Sequence, residues 1–248
     1  MDAVRKRVLL GVGAVVAVVA IVLGVVVLTR DDGGDTAATT TTTSSTTTTS
    51  STTTTTAPTT TTTASPQDVA DAVFPDLTGA ARYPDPRELV RDFAVQVLGF
   101  DQDVQIGAFE ATGPGTGRVD LTSSYGGGVT TVTLRQLGDG SWIALGTRTS
   151  SIRLDTPIGG AAISSPQPLV GAAYAWEGRV NVTLYADGAD TQIASTFVMG
   201  RGDGVLGAFH GQLTFQAPAG TSHGILVLAA AGAANGTTAA ATTIRVRF

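Results

Sequence analysis

The chain has 248 residues, with 15 lysines and arginines against 20 aspartates and glutamates, and no cysteine. A net charge of −5 with no basic cluster after residue 66 argues against nucleic-acid binding. The absence of cysteine excludes disulfides, thiolate nucleophiles and cysteine-ligated zinc, so the fold must be held by core packing alone.

The N-terminal residues predict a membrane anchor. Residues 8–28 form a run of 21 residues without a charged side chain, and a helix of that length spans the roughly 30 Å of a bilayer's hydrocarbon core. Basic residues at 5–7 precede the run, so the positive-inside rule places residues 1–7 in the cytoplasm and the later domains outside. We therefore predict a single-pass protein of the cell membrane. A cleaved signal peptide is the alternative, but the run is long for one and no A-x-A-like site follows it.

Residues 29–66 predict a disordered linker. Thr and Ser make up 25 of the 31 residues from 36 to 66, and the segment has no apolar pattern that a core would bury. A segment of this composition separates a folded region from the membrane, and its dense hydroxyls with interspersed prolines also fit an O-glycosylated stalk.

Residues 67–150 predict a small α+β domain in which one helix covers an antiparallel sheet. Asp85 as N-cap, Pro86 at the first position and Glu88 at the third begin a helix of about 13 residues, and Gly99 ends it. A shorter helix is predicted to start at Pro66. Four strand patterns separated by glycine-rich turns follow, at 104–111, 117–123, 129–137 and 141–151.

Residues 151–248 predict an all-β immunoglobulin-like sandwich. About seven short alternating runs recur at intervals of 8–14 residues, and turn residues separate them. The large apolar side chains expected in its core are Trp176, Val182, Leu184, Phe209, Leu213 and Phe215.

This C-terminal segment also shows a family resemblance. A proline-bounded start, a small-residue strand, a Glu-Gly turn, an alternating strand and a later Gly-x-Phe follow in order, at Ser165, Pro166, Pro168, Leu169, Val170, Ala172, Ala173, Glu177, Gly178, Val180, Asn181, Val182, Gly207, Phe209 and Pro218. Over about residues 156–248 the pattern resembles the immunoglobulin-like domain of bacterial spore germination. The resemblance implies an exported module appended to an envelope protein, and it transfers no catalytic or ligand-binding residue.

The chemistry-bearing residues do not form a recognisable active site. The two histidines, His210 and His223, are predicted to lie on a strand and in a turn, and a metal site would need a carboxylate to converge with both. No nucleophile elbow occurs. We therefore predict no catalytic, cofactor-binding or metal-binding residue. Glu177 and Arg179, at the predicted Glu-Gly turn, are the candidate surface contacts.

Arg201-Gly202-Asp203 matches an adhesive tripeptide, although Gly202-Asp203-Gly204 is also a common turn sequence.

Taken together, these patterns predict a non-enzymatic, membrane-anchored protein of the bacterial cell envelope. Its partners would be the membrane and an envelope protein or cell-wall component, with a link to germination or envelope processes implied only by the resemblance. Two alternatives remain: a ligand- or lipid-binding protein with a pocket under the helix of the 67–150 domain, and an envelope enzyme.

Overall fold

The structure is a computed structural model that describes residues 64–187, 192–233 and 236–248. The predicted membrane helix at 8–28 and the linker up to residue 63 lie outside the described residues. Within the described ranges, no helix is long and apolar enough to cross a membrane.

Two short helices precede the sheet, and both begin where their capping residues predict. Helix α1 (Pro66–Asp71) starts with a capping box between Ser65 and Asp68. Helix α2 (Pro86–Gln96) starts at Asp85, whose carboxylate accepts a hydrogen bond from the Arg87 amide at 2.8 Å. Helix α2 has 11 residues, two fewer than predicted, and its inner face is fully buried.

The strands of the described ranges are antiparallel, and the first four lie close to the predicted positions. They are β1 (Gln105–Gly113), β2 (Thr116–Thr122), β3 (Val129–Gln136), β4 (Trp142–Thr149), β5 (Ile152–Thr156), β6 (Gln167–Ala173), β7 (Arg179–Ala186), β8 (Gln192–Met199), β9 (Gly207–Leu213), β10 (His223–Ala231) and β11 (Thr238–Arg247). The main sheet has the order β1-β2-β3-β4-β11-β10-β7-β8, while β5 pairs with β4 and β6, and β6 pairs with β9.

The C-terminal part is a sandwich-like arrangement, and its strands β10 and β11 also contribute side chains to the core of the N-terminal part. Leu226 and Leu228 of β10 face the sandwich core, whereas Ile225 and Val227 of the same strand belong to the core under α2. This follows from the two-residue period of a strand, which sends successive side chains to opposite faces. The predicted boundary between residues 150 and 151 falls within one unit, Ala57–Phe248.

The predicted sandwich core is confirmed with one exception. Val182, Leu184, Phe209 and Leu213 are at most 1% exposed, and Phe215 is partly buried against them. Trp176 was expected in this core, and that expectation is wrong, because its side chain is 60% exposed. The reason is that β6 ends at Ala173, so the in-and-out alternation of the strand no longer determines where Trp176 lies.

Tyr83 at the edge of the α2 core gives a pH-dependent prediction. Burial, together with a 2.9 Å hydrogen bond donated to Asp92, raises the pKa of Tyr83 to about 12. The folded chain therefore keeps a proton that the unfolded chain releases near pH 10, so this stabilisation is complete below pH 10 and is lost between about pH 10 and 12. Absorbance at 295 nm should show tyrosinate formation near pH 12 whose amplitude falls by one tyrosine in Tyr83→Phe, while Tyr185, whose pKa burial also raises, contributes equally to both proteins. An undiminished amplitude in the variant would contradict the assignment.

Candidate interaction surface

The turn that contains Glu177 connects β6 to β7 and has a constrained backbone. Trp176–Gly178 form one turn of 3-10 helix, in which the Gly178 amide donates to the Ala175 carbonyl oxygen at 2.9 Å. Glu177 has φ 56° and is the one non-glycine residue of the described ranges in the left-handed region. Since that conformation costs an L-residue about 1–2 kcal/mol, the surrounding contacts must hold it in place.

Those contacts come from the segment that follows β8. The Ala175 amide donates to the Arg201 carbonyl at 2.9 Å, and the Gly200 amide donates to the Gly178 carbonyl at 2.7 Å. Gly200 is needed at this close approach, because an added Cβ would lie 2.8 Å from the carbonyl carbon of Ala173. The turn and the end of β8 therefore form one rigid edge of the sandwich.

Large apolar side chains are exposed along this edge. Trp176 is 60% exposed, Met199 51% and Phe197 50%, and Val205 and Leu206 in the following loop are 58% and 40% exposed. In the β7–β8 register, Phe197 is opposite Asn181 and Met199 is opposite Arg179, so these four share one sheet face. We call the five apolar residues together with Glu177 and Arg179 the Trp176 surface. Large exposed apolar side chains concentrated at one edge are typical of interaction sites.

Arg179 places a positive charge within this apolar surface. Its guanidinium carbon lies 4.4 Å from the centroid of the Phe197 ring, and its Nε donates to the Asn181 side-chain oxygen at 3.1 Å. The cation–π contact and the hydrogen bond hold the guanidinium in one orientation, which lowers the entropy that a partner would have to remove on binding.

A small aromatic cleft adjoins the surface. Its volume is about 240 Å³, and Tyr125, Tyr174 and Trp176 line it beside the loop between β10 and β11. Ligand pockets usually measure roughly 300–1,000 Å³, so this cleft has the size for one inserted side chain or ring. Trp, Tyr and Arg are also the residue types most enriched among energetically dominant interface contacts.

The adhesive tripeptide lies beside the surface with its charges paired internally. The Arg201 guanidinium forms an ion pair with Asp203, with Nε and Oδ1 3.1 Å apart, and Asp203 also accepts the Val205 amide at 3.2 Å. The hydrogen bond from Arg201 lowers the pKa of Asp203. These contacts shape the loop that presents Val205 and Leu206.

The two predicted contact residues, Glu177 and Arg179, are both exposed and lie on this one edge. Their role in binding stays a prediction. Sequence reasoning missed Tyr125 and Tyr174, because they come from separate segments that only the fold brings to Trp176. Phe197 and Met199 could have been found from their alternation with buried Val198 in a strand at the end of the sheet.

The histidines do not converge. His210 lies in β9, and His223 begins β10, where its Nδ1 is 2.8 Å from the Ser222 hydroxyl oxygen. Across the described ranges, no group of three or more His, Asp or Glu side chains is arranged to hold a metal ion.

Strands β5 to β11 and this edge define an immunoglobulin-like β-sandwich, a class of binding or scaffold module. Within the chain, residues 151–237 match the family described as the immunoglobulin-like domain of bacterial spore germination. The match confirms the resemblance noted for about residues 156–248. No curated protein and no solved structure matches the chain.

Proposed function

We propose that the chain is a non-enzymatic, membrane-anchored protein of the bacterial cell envelope that presents an immunoglobulin-like module to an extracytoplasmic partner. The observation that supports binding most directly is the Trp176 surface, where the Trp176–Gly178 turn leaves Trp176 60% exposed and Arg179 lies over the Phe197 ring. Full burial of a large apolar side chain contributes roughly 1.5–3 kcal/mol, and Trp176, at 60% exposure, forgoes part of it. A partner that covers it would recover that free energy.

Anchoring and orientation rest on the sequence. The apolar run at 8–28, the basic residues at 5–7 and the Thr/Ser-rich segment to residue 66 together favour a module held away from the outer face of the membrane. The proposed partner is an envelope protein or a cell-wall component, because a module tethered to the outer face of the membrane by such a segment would meet these.

The pocket predicted under the helix is not supported. Leu89, Val90, Phe93 and Ala94 of α2 are all 0% exposed and pack into the core that includes Val119, Leu121 and Val132. Side chains therefore fill this helix–sheet interface.

Protease shaving tests the topology. We expect protease added to intact, wall-stripped cells to remove an epitope placed after residue 248 and to spare one placed before residue 1. Lysed cells, in which both epitopes should be digested, are the control. Protection of the C-terminal epitope in intact cells would overturn the proposed orientation.

A further inference from the structure

A second and larger cleft lies away from the Trp176 surface, where β4 separates from β11. Its volume is about 660 Å³, within the range of ligand pockets.

A bulge in β4 opens this cleft. Thr133 pairs with Gly146 and Leu134 with Ala144, so Leu145 is an extra residue in β4. Beyond the bulge, β4 and β11 share only the pair Thr147 and Thr243 in the described residues. Gly146 is required at this crossing, because an added Cβ would lie 2.6 Å from the Thr243 carbonyl oxygen.

The loop that follows β5 keeps the two strands apart. The antiparallel register would place Leu145 opposite Arg245, but the Gly160 amide donates to the Arg245 carbonyl at 2.7 Å instead. The cleft is therefore built into the backbone, with β4 on one side and β5, the 157–160 loop and β11 on the other.

The charged groups that line the cleft are three arginines and one aspartate, and all but one of them are paired. Arg245 is 6% exposed, lies 2.6 Å from Asp187 and donates to the Val69 carbonyl at 3.0 Å. Arg153 pairs with Asp155 at 3.0 Å. The aspartate of the lining, Asp71, accepts hydrogen bonds from Gln67 at 2.7 Å and from Arg135 at 3.0 Å. These hydrogen bonds lower the pKa of Asp71.

Arg148 is the fourth charged side chain of the cleft lining. Its side chain is exposed, and it makes no hydrogen bond or ion pair within the described part of the chain. The cleft therefore presents one unpaired cation to whatever enters it. A guanidinium prefers a carboxylate or phosphate, which it can bind through two parallel hydrogen bonds.

A buried hydroxyl points to the same conclusion. Thr243 lines the cleft and is 2% exposed, yet its Oγ1 has no partner in the described residues. The neighbouring hydroxyls of Thr147 and Thr242 are paired with the carbonyls of Ala241 and Ile152, both at 2.9 Å. An unpaired buried hydroxyl is destabilising, but this Oγ1 is closed to solvent, so an acceptor in the cleft would reach it only after the Thr243 side chain rotates.

Apolar side chains make up part of the remaining lining, beside several threonines. Leu154, Pro157, Ile158 and Ile244 form one wall, and Ile158 at the rim is 68% exposed. A ligand complementary to this cleft has an apolar body and one anionic group.

We propose that the cleft binds a small organic carboxylate, with its carboxylate paired to Arg148 and its apolar body against Leu154, Pro157 and Ile158. Because Arg148 is exposed and solvent screens its ion pairs, a carboxylate probe should bind up to about fivefold more tightly than its neutral amide.

Fluorine NMR tests this with the full chain in lipid nanodiscs. The probe is 4-(trifluoromethyl)benzoate, its neutral counterpart is 4-(trifluoromethyl)benzamide, and empty nanodiscs correct for partitioning into lipid. We expect the wild type to prefer the benzoate and Arg148→Gln to remove that preference. Gly159→Phe, which adds bulk where a Cβ meets only Ile244 Cγ2 at 4.0 Å, should weaken both probes.

Arg91→Gln is the matched control, because Arg91 is an exposed arginine on α2 that also makes no hydrogen bond or ion pair in the described ranges. It should keep the wild-type preference. Arg148→Gln should unfold at the wild-type temperature, since the replaced group makes no hydrogen bond or ion pair with the described residues. Equal affinity of the wild type for both probes, no binding of the benzoate at millimolar concentration, or an unchanged preference in Arg148→Gln would each overturn the proposal.

Discussion

Phe93→Ala is expected to lower the free energy of unfolding by about 3–5 kcal/mol, the usual cost of truncating a fully buried phenylalanine. Phe93 is 0% exposed, and its ring centroid lies 5.4 Å from that of Phe74. Its core also contains Ile225, Val227 and Ala241 from β10 and β11. Phe93→Ala should therefore destabilise the sandwich as well as the region under α2.

The two tryptophans provide the measurement. Trp142 is in β4 and belongs to the α2 core, whereas Trp176 is on the sandwich edge. Urea titration followed by fluorescence in a Trp176→Phe background reports the first region, and a Trp142→Phe background reports the second. We expect Phe93→Ala to lower both midpoints equally. A shift seen by Trp142 alone would show that the two parts unfold independently.

Gly171→Ala is expected to cost about 3 kcal/mol or more, at the upper end of what overpacking a core does. Gly171 is in β6, and an added Cβ would lie 2.5 Å from Phe209 Cζ and closer still to the Arg153 carbonyl oxygen. Both neighbours are fixed, because Phe209 is 1% exposed in the sandwich core and Arg153 is in the paired strand β5. The strands would have to separate to accept a methyl group.

Gly159→Ala is the matched control for that substitution. An added Cβ at Gly159 meets only Ile244 Cγ2 at 4.0 Å, so this change should alter stability by no more than about 0.5 kcal/mol. Thermal unfolding of the two variants side by side measures the difference. Equal stability of the two variants would contradict the packing described around Gly171.

Local patterns predicted the elements of this fold well. The capping residues of the helices and the turn signals between strands identified the starts of both helices and the positions of the first four strands to within a few residues. Alternation also identified Val182, Leu184, Phe209 and Leu213 as core. These features depend on neighbours in sequence, which is why a single sequence reveals them.

Contacts between distant segments were not predictable in the same way. The pairing of β4 with β11 joins residues about a hundred positions apart, and no local period indicates it. Trp176 was misplaced because a turn, where alternation ends, determines its exposure. The 660 Å³ cleft depends on the β4 bulge and the Gly160 hydrogen bond, neither of which leaves a local signal.

The shared cores also determine which variants can be used to locate a binding region. Because β10 and β11 supply both cores, deleting the C-terminal segment would remove Ile225 and Val227 from under α2 as well as the sandwich. Single substitutions on the exposed edge, which leave both cores intact, are the better means of assigning a partner.

Site-specific photo-crosslinking in intact cells tests most directly whether the Trp176 surface is the contact face. A photoreactive side chain is placed at Trp176, at Phe197 or at Met199, with exposed Thr112 of β1 as the control position. We predict one common crosslinked species from the three surface positions, absent at Thr112 and reduced when Arg179→Ala accompanies the probe. Crosslinking that is equal at Thr112, or absent from all three surface positions, would contradict the proposed role of this surface.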